Sequence, residues 1–547
     1  MKRSNLAQFV FLFLLTAVSS FGQNNVSALL PLPNHIEQVV GEKNFAITQQ
    51  TVVKTNLPKQ AFCLGELQRI LTERFDKSVP VAESQSDGYA SVIELCTDSG
   101  IRGEEHYMIE VSENKLSVKG STQKALFYGL KTLDQMLLGD VCNTMRKQVA
   151  PIRIDDEPRY GFRALMLDPA RHFLPLEDVK FYINQMSKYK YNILQLHLTD
   201  DQGWRVEIKA HPRLTEVGAF RNPKAGPNGP DNGFYTQEQL KELVRYAAER
   251  HIEIIPELDV PGHTVAVLAA YPELGCTHTD TIPKEIGKTV NLMLCANNEK
   301  VYAVYDDIMK EIAAIFPSSK IHLGGDEAAI EKNWTQCDRC QSLMRQLGYT
   351  KESQLMNYFF HKILVSVRKY GKEPMLWCEL DNIRMPANDY LFDYPKDVTL
   401  VTWRNGLTPK CIEQTAKHGN ALVMAPGEFA YLDYPQLKGD LPEFNNWGMP
   451  VTTLETCYRF DPGYGLPAAQ QSHILGISGT LWGEAIKDIN RATYMTYPRG
   501  LALAEAGWTK MEHRSWDSFK ERMYPNLMNL MKQGVSIRVP FEIVTGK

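Results

Sequence analysis

From Arg163 onward, short apolar runs alternate with longer stretches whose apolar residues recur at helical spacing. The apolar runs predict eight strands, at 163–168, 192–198, 252–258, 321–323, 373–379, 398–404, 421–426 and 474–484. Helical patterns separate or follow them, most clearly at 176–190, 236–250, 299–316, 353–371, 408–418 and 492–506. This alternation predicts an α/β protein with a closed (β/α)8 TIM barrel. An open, doubly wound sheet is less favoured, because the chain has no G-x-G-x-x-G or Walker sequence.

The chain before Arg163 shows a different order of strand-like and helical segments. Strand-like runs such as 44–55 and 106–120 mix with helical stretches such as 61–75 and 122–139. Residues 23–155 therefore predict a small N-terminal α/β domain, and this part offers no catalytic cluster. Pro158 and Gly161 interrupt the pattern at the boundary. We expect the barrel to occupy 156–510 and a C-terminal helical extension to occupy 511–547.

The first 22 residues are typical of a secretory signal peptide. Lys2 and Arg3 precede the apolar run 9–18, and small residues follow it. The run is short for a membrane-spanning helix, and no later span is predicted. The sequence thus predicts an exported, soluble protein, either periplasmic or secreted. A net charge of −4 without a long basic run argues against nucleic acid as a partner.

Export changes the meaning of the ten cysteines. Cys276 and Cys295 bracket a polar segment, and we predict a disulfide between them. Cys337 and Cys340 form a lone C-x-x-C motif. Without a second pair at zinc-finger spacing, a local disulfide or two thiols are favoured over a metal site.

Acids and tryptophans follow every predicted strand of the barrel. A lone Asp is usually a helix cap, and a lone Trp or His is usually a packing residue, but the repetition is not explained in this way. Zinc at His197, His211 and His263 is disfavoured because no H-E-x-x-H spacing is present. The strand-end residues are Asp168, Arg171, His172, His197, Asp200, Asp201, Trp204, Glu257, Asp259, His263, Asp326, Glu327, Trp377, Glu379, Trp403, Arg404, Glu428, Tyr431, Asp433, Trp482 and Glu484.

Acids and stacking aromatics in a barrel mouth indicate glycoside hydrolysis. The usual mechanism needs two carboxylates that face each other across the scissile bond. Asp326 and Glu327 are adjacent and suit that arrangement poorly. The difficulty disappears if a 2-acetamido group of the substrate supplies the nucleophile, so that one acid protonates the leaving oxygen and the other orients the amide N–H.

At this point the sequence resembles glycoside hydrolase family 20, the exo-acting β-N-acetylhexosaminidases, over residues 24–510. The resemblance rests on the motifs LMLDPARHF (165–173), LHLTDDQGWRVEI (196–208), PELDVPGH (256–263), HLGGDEAA (322–329) and LWGE (481–484). It implies a retaining, substrate-assisted mechanism through an oxazolinium intermediate, with no cofactor. The implied partner is a glycan with a terminal β-linked N-acetylhexosamine, of gluco or galacto configuration. We expect a monomer or a homodimer.

The resemblance also implies roles for individual residues. Glu327 is similar to the general acid/base, and Asp326 to the carboxylate that orients the acetamide. Arg171 resembles the arginine that holds the O3 and O4 hydroxyls. The other implied roles are support of the acid by Asp200 and His263 with Asp259 behind them, aromatic walls from Trp377, Trp403 and Trp482, an acetamide hydrogen bond from Tyr431, and outer hydroxyl contacts from Asp433 and Glu484.

Two alternatives stay open from the sequence. One is a glycan-binding protein on a decayed enzyme scaffold, against which the intact Asp326 and Glu327 argue. The other is a two-carboxylate retaining glycosidase that acts on sugars without an acetamide. A substrate panel distinguishes all three.

Overall fold

The computed structural model describes residues 26–82, 89–138, 148–222, 224, 229, 231–277, 282, 292–379, 393–440 and 449–540. The predicted signal peptide, residues 1–22, lies outside these ranges. The chain divides into two compact units, one formed by 1–158 with 512–533 and the other by 159–511 with 534–547. None of the helices in the described ranges combines the length and the apolar character needed to cross a lipid bilayer.

The first unit is built on a mixed sheet of six strands, accompanied by a two-stranded ribbon. The strands of the unit are β1 His35–Gln38, β2 Phe45–Ala46, β3 Thr51–Thr55, β4 Ser91–Thr97, β5 Tyr107–Ser112, β6 Lys115–Gly120, β7 Gln148–Val149 and β8 Ile152–Asp156. The sheet order is β1-β8-β5-β6-β4-β3, and the ribbon joins β2 to β7. In β5 buried and outward-facing residues alternate, as expected for a strand with one face on the core.

Among the described residues, the α-helices of this unit are α1 (Phe62–Phe75), α2 (Gln123–Met136) and, from much later in the chain, α15 (Trp516–Lys532). Thr122 caps α2 by accepting a hydrogen bond from the backbone N–H of Ala125. Arg522 and Asn526 of α15 donate to the carbonyl oxygens of Leu29 and Ala28 at 2.6 and 2.7 Å. The unit thus combines residues that are almost 500 positions apart in the sequence.

The second unit is a closed barrel, which confirms the predicted fold. Its strands are β9 Phe162–Leu167, β10 Ile193–Asp200, β11 Gly203–Trp204, β12 Glu253–Leu258, β13 Lys320–His322, β14 Glu373–Trp377, β15 Thr399–Thr402, β16 Leu422–Met424 and β17 Ile474–Leu481. Eight of them are parallel and pair in succession, and β17 pairs with β9 to close the ring. The short β11 adds an antiparallel pair beside β10.

Helices follow the strands of the barrel, largely where the sequence predicts them. They are α3 Leu176–Lys188, α4 Arg213–Glu216, α5 Gln237–Glu249, α6 Val265–Ala270, α7 Glu299–Ile315, α8 Asp338–Leu347, α9 Glu352–Lys369, α10 Thr408–His418, α11 Gly427–Ala430, α12 Leu454–Arg459, α13 Ile489–Thr496 and α14 Arg499–Trp508. The single helix predicted at 492–506 is wrong. The segment forms two helices, α13 and α14, which meet at Pro498 because proline lacks the N–H that a continuous helix needs.

The barrel interior is packed with side chains. Ile193, Ile255, Met375, Val401 and Val423 form one buried cluster with Trp377 and their neighbours. Two further tryptophans, Trp403 and Trp482, are partly buried and pack against this cluster. The core therefore supports the aromatic side chains at the carboxyl ends of the strands, where a TIM barrel carries its active site.

Candidate active site

Two glycines shape the loop that carries the adjacent acids after β13. Gly324 and Gly325 both have positive φ angles, +61° and +96°. A Cβ atom at Gly324 would lie 2.0 Å from Oδ1 of Asp259, which itself accepts a 2.9 Å hydrogen bond from the N–H of Gly325. Glu327 also has a positive φ, 50°, which non-glycine residues adopt mainly where the surrounding structure imposes it. The loop is thus bent around Asp259 to present Asp326 and Glu327.

His263 lies between these two acids and Asp200. Its Nε2 atom is 3.8 Å from Oδ2 of Asp326 and 3.9 Å from Oε2 of Glu327. Its Nδ1 atom is 3.4 Å from Oδ1 of Asp200 on β10. The Asp326 side chain is 9% exposed and that of Glu327 is 29% exposed, so Glu327 is the more accessible of the two. One imidazole therefore connects three carboxylates.

Charge–charge interactions dominate this group. Burial opposes ionisation of Asp200, but the positive charges of Arg171 and His263 hold its pKa well below the usual range. Burial likewise favours neutral His263, yet the charge of Asp200 and its hydrogen bond raise the His263 pKa well above its usual value. At neutral pH the pair is thus an ion pair, which orients the imidazole toward Asp326 and Glu327.

Asp259, behind the loop, has the opposite character. Burial and then the negative charge of Asp326 raise the pKa of Asp259 well above its usual value. A protonated Asp259 can support the Gly324–Gly325 turn without adding a second negative charge beside Asp326.

Arg171 is held in place by acids from three strand ends. Its Nη1 atom is 2.8 Å from Asp200 and 3.0 Å from Asp168, and its Nη2 atom is 3.9 Å from Glu484. Its guanidinium carbon lies 4.9 Å from the ring centre of Trp482. The Nε atom has no hydrogen-bond partner among the described residues. The guanidinium is thus fixed in a buried position from which it can bind sugar hydroxyls.

Aromatic side chains line the same end of the barrel. The Trp377 indole donates to Oε1 of Glu257 at 2.9 Å, and its ring centre is 5.7 Å from that of Trp482. Tyr431 lies 6.4 Å from Trp482, ring centre to ring centre, and a backbone bridge pairs Tyr431 with Thr480 of β17. The indole N–H of Trp403 has no partner within the described ranges. These rings form the apolar surface of the site.

Asp433 and Glu484 lie at the side of the site next to Trp482. Oδ1 of Asp433 accepts a long hydrogen bond, 3.5 Å, from the backbone N–H of Trp482. Oδ2 of Asp433 has no hydrogen-bond partner among the described residues. Burial and then the charge of Glu484 raise the pKa of Asp433 well above its usual value. Burial also raises the pKa of Glu484, against the opposing charge of Arg171. Both groups are shifted toward the neutral form, in which a carboxyl donates as well as accepts hydrogen bonds.

Asp168 and Glu257 were strand-end candidates whose positions, but not roles, the sequence indicated. The Asp168 carboxylate accepts hydrogen bonds from the backbone N–H groups of Ala170, Arg171 and Gly483, so it fixes the loop that carries Arg171. Glu257 lies deeper and bonds to residues of the barrel interior. It accepts hydrogen bonds from Gln195 and Trp377, and its oxygens lie 3.0 and 3.1 Å from Nδ1 of His197 and His322.

The sequence expectation about the disulfide changes here. The predicted disulfide is not formed: Cys276 and Cys295 are both free, and each lies close to a cysteine of the C-x-x-C motif. Spacing along the chain missed this arrangement because α8 brings Cys337 and Cys340 to the same place. His211, which the sequence grouped with His197 and His263 only as a disfavoured zinc site, hydrogen-bonds to Asp307 of α7 at 3.1 Å.

Comparisons with known proteins agree with this geometry. The model of the glycosyl hydrolase family 20 catalytic domain matches residues 160–511, and that of domain 2 of the family matches 26–157. A beta-hexosaminidase of Akkermansia muciniphila is 37% identical over 429 residues, covering 78% of this chain and 84% of the relative. A beta-hexosaminidase of Vibrio furnissii is 34% identical over 490 residues, which cover 88% of this chain and 76% of that relative.

Solved structures give the same result. The chain is similar to a crystal structure of a beta-N-acetylhexosaminidase, with a TM-score of 0.75, 32% identity and coverage of 93% of this chain and 95% of the other. It is also similar to an exo beta-N-acetylglucosaminidase of Vibrio harveyi in complex with N-acetylglucosamine. The TM-score of that comparison is 0.79 and the sequence identity is 31%, and the match covers 95% of this chain and 79% of the other.

Proposed function

Because the chain belongs to glycosyl hydrolase family 20 and is a glycoside hydrolase, we propose that it is an exo-acting β-N-acetylhexosaminidase. It would release terminal, non-reducing N-acetylglucosamine or N-acetylgalactosamine from glycans. The names of the relatives support this substrate class. We also propose that residues 1–22 direct export of the protein.

The proposed mechanism rests on one observation: Asp326 and Glu327 are neighbours on one loop, and both face Nε2 of His263. In this mechanism the acetamide oxygen of the substrate attacks the anomeric carbon. Glu327 donates its proton to the leaving oxygen as the glycosidic bond breaks. Asp326 accepts a hydrogen bond from the acetamide N–H and stabilises the positive charge of the oxazolinium intermediate.

The second half of the reaction uses the same residues in reverse roles. Glu327, now ionised, takes a proton from a water that attacks the anomeric carbon. The ring of the oxazolinium opens, and the sugar leaves with its original β configuration. The His263–Asp200 ion pair would hold the two acids in position during both steps.

The remaining side chains support binding of one terminal sugar. Arg171, Asp433 and Glu484 present charged and neutral hydrogen-bonding groups beside Trp482, which suits sugar hydroxyls against an aromatic face. The acetamide methyl group would be enclosed by indole rings, and its oxygen would accept a hydrogen bond from a tyrosine hydroxyl. The residues proposed for these contacts are Trp377, Trp403 and Tyr431.

A substrate panel with product analysis tests the proposal. We expect hydrolysis of aryl β-N-acetylglucosaminides and β-N-acetylgalactosaminides, little hydrolysis of β-glucosides, and the β anomer as the first product by NMR. A two-carboxylate enzyme would instead cleave β-glucosides and be trapped by a 2-fluoro glycoside as an adduct on Asp or Glu. A glycan-binding protein would hydrolyse none of these substrates.

A further inference from the structure

Four cysteines outside the active site meet at one point in the barrel unit. Cys276 and Cys295 lie in the connection between β12 and α7, whereas Cys337 and Cys340 lie at the start of α8. The sulfur atoms of all four lie within 4.8 Å of one another. The Sγ–Sγ distances are 3.7 Å for Cys276–Cys340, 3.6 Å for Cys295–Cys340 and 4.0 Å for Cys295–Cys337.

These distances match the edges of a metal–thiolate tetrahedron. Sulfur ligands about 2.3 Å from a tetrahedral zinc ion are about 3.8 Å apart, whereas bonded sulfurs in a disulfide are about 2.05 Å apart. Cys295 is also nearly equidistant from Cys337 and Cys340, so no single pairing stands out. We propose that Cys276, Cys295, Cys337 and Cys340 bind one zinc ion in a closed, structural site with four thiolate ligands.

The backbone around the sulfurs is arranged for such a site. Gly275 and Leu294 form an antiparallel bridge, and the Cys295 N–H donates to the Leu274 carbonyl at 2.9 Å. The bridge places the first two cysteines side by side on adjacent segments. Cys337 precedes α8 and Cys340 lies in its first turn, so both sulfurs project from one end of that helix. The ligand pairs are thus held by hydrogen bonds that do not involve sulfur.

Side chains tie the two pairs together and balance the charge. Asn297 donates to the Arg339 carbonyl at 2.7 Å, and the Arg339 guanidinium donates to the Gly275 carbonyl at 2.6 Å. Arg339 also places a positive charge against Cys295 and Cys337. Four thiolates around a divalent ion carry a formal charge of about −2, which a neighbouring guanidinium partly offsets. Three of the four cysteines are buried, as suits a structural site.

The four thiolate ligands restrict the choice of metal. Four thiolates in a tetrahedron are typical of zinc or of iron, and they are unsuited to magnesium or calcium. Binding releases the thiol protons, so the site would lose its metal as the pH falls.

The site would join the two loops that carry the proposed catalytic groups. Leu294, next to Cys295, donates to the carbonyl of Pro261 at 3.0 Å, two residues before His263. The Trp334 indole donates to the carbonyl of Leu294 at 2.9 Å, and Trp334 follows the adjacent acids in the same loop that leads to α8. Zinc would therefore position His263 relative to those acids. This consequence rests on the proposed function, whereas the metal site itself does not.

Metal analysis of the full-length protein, purified without chelators, tests the site. We expect about one equivalent of zinc by mass spectrometry, and a cobalt-substituted form with the sulfur-to-metal charge-transfer and visible bands of a tetrahedral thiolate site. Cys340→Ser should lose the metal, while Cys96→Ser, at a half-buried cysteine of the other unit, should retain it. Because Cys340→Ser could fail to fold, zinc release from the wild type by a mercurial thiol reagent gives the same information.

Two results would overturn the zinc site. One is peptide mapping, without reduction, that finds disulfides among the four cysteines in a metal-free protein. The other is a stoichiometric metal that is iron or that persists in Cys340→Ser.

The positioning role is tested separately. Removal of zinc should lower kcat for an aryl N-acetylglucosaminide at least several-fold and lower the melting temperature, and added zinc should restore both. Unchanged kcat in a protein shown to be zinc-free would overturn the positioning role but not the site. If the enzyme has no such activity at all, the proposed function fails, and metal content still decides the zinc proposal.

Discussion

Glu257 and Asp326 are both buried acids, one on β12 and the other just after β13, but their surroundings differ. Glu257 accepts hydrogen bonds from Gln195 at 2.8 Å and from Trp377 at 2.9 Å. Its oxygens also lie 3.0 Å from Nδ1 of His197 and 3.1 Å from Nδ1 of His322. Oδ1 of Asp326 has no hydrogen-bond partner in the described part of the chain. A buried acid whose oxygens are all paired supports the fold, whereas one that presents an unpaired oxygen is suited to bind a ligand.

The electrostatics show the same difference between the inner layer and the mouth of the barrel. Burial opposes ionisation of Glu257, but the neighbouring His322 and His197 hold its pKa well below the usual range. At the mouth, burial and neighbouring carboxylates instead raise the pKa values of Asp259 and Asp433. The inner layer is a charge-balanced network, and the mouth has an excess of acids. We therefore expect substitutions at the mouth to reduce activity and those in the inner layer to reduce stability.

The largest expected effect is that of Glu327→Gln at the mouth. Loss of a general acid should lower kcat about 10³-fold for substrates with poor leaving groups, with little change in KM. The free energy of unfolding should stay within about 0.5 kcal/mol of the wild type. Steady-state kinetics and denaturant titration measure both, with Glu331→Gln, an exposed acid in the same loop, as the control. Wild-type hydrolysis by Glu327→Gln would remove this residue from catalysis.

Glu257→Gln tests the inner layer. It removes the negative charge between two histidines and turns one of its buried acceptor positions into an amide N–H, which should cost about 3 kcal/mol of unfolding free energy. Denaturant titration measures this loss, and Glu238→Gln, on the exposed surface of α5, serves as the control. If the variant were as stable as the wild type but inactive, Glu257 would belong with the catalytic residues and the distinction between the layers would fail.

Asp326→Asn should lower kcat about 100-fold, in line with loss of one preorganised electrostatic contact in the transition state. A thiazoline mimic of the cyclic intermediate should inhibit the wild type competitively and bind the variant much less tightly. Asp517→Asn, at a highly exposed position of α15, is the control for handling and folding. Equal thiazoline affinity in both proteins would argue against contact between Asp326 and the acetamide.

A pH-dependent effect on stability concerns Glu379, which follows β14 and pairs with Arg404 at 3.1 Å. Burial raises its pKa to about 8, despite the opposing charge of Arg404. An unfolded glutamate titrates near about 4.3, so between these values the folded state keeps a proton that the unfolded chain has lost. Stability from this residue should therefore be complete below about pH 4 and decline up to about pH 8, by at most about 1.4 kcal/mol per pH unit.

Glu379→Gln should remove that part of the pH dependence. Unfolding free energies measured from about pH 5 to about pH 8 reveal it, with Glu373→Gln at the exposed start of the same strand as the control. Parallel pH profiles for the variant and the wild type would show that Glu379 is ionised throughout this range.

The alternation of apolar and amphipathic segments was enough to predict the barrel and all eight strands, because the strands are buried on both faces and most of the longer helices on one. The break at Pro498 was readable from the sequence but was overlooked. The separation of Glu257 from Asp326 was not readable, because both are acids near strand ends and only the three-dimensional structure shows which oxygens are paired. The four cysteines were missed for a similar reason, since Cys276 and Cys340 meet only after β13 and α8 are in place.

The location of α15 has a consequence for synthesis of the chain. Its residues Arg522 and Asn526 bond to Leu29 and Ala28, so the unit that begins the described chain needs its last helix to be complete. The ribosome must first translate residues 159–511, which at roughly 10 residues per second takes about half a minute. Throughout that interval the segment at Ala28 and Leu29 lacks the helix to which its carbonyl groups later bond. The first unit therefore reaches its final structure only after α15 has been translated.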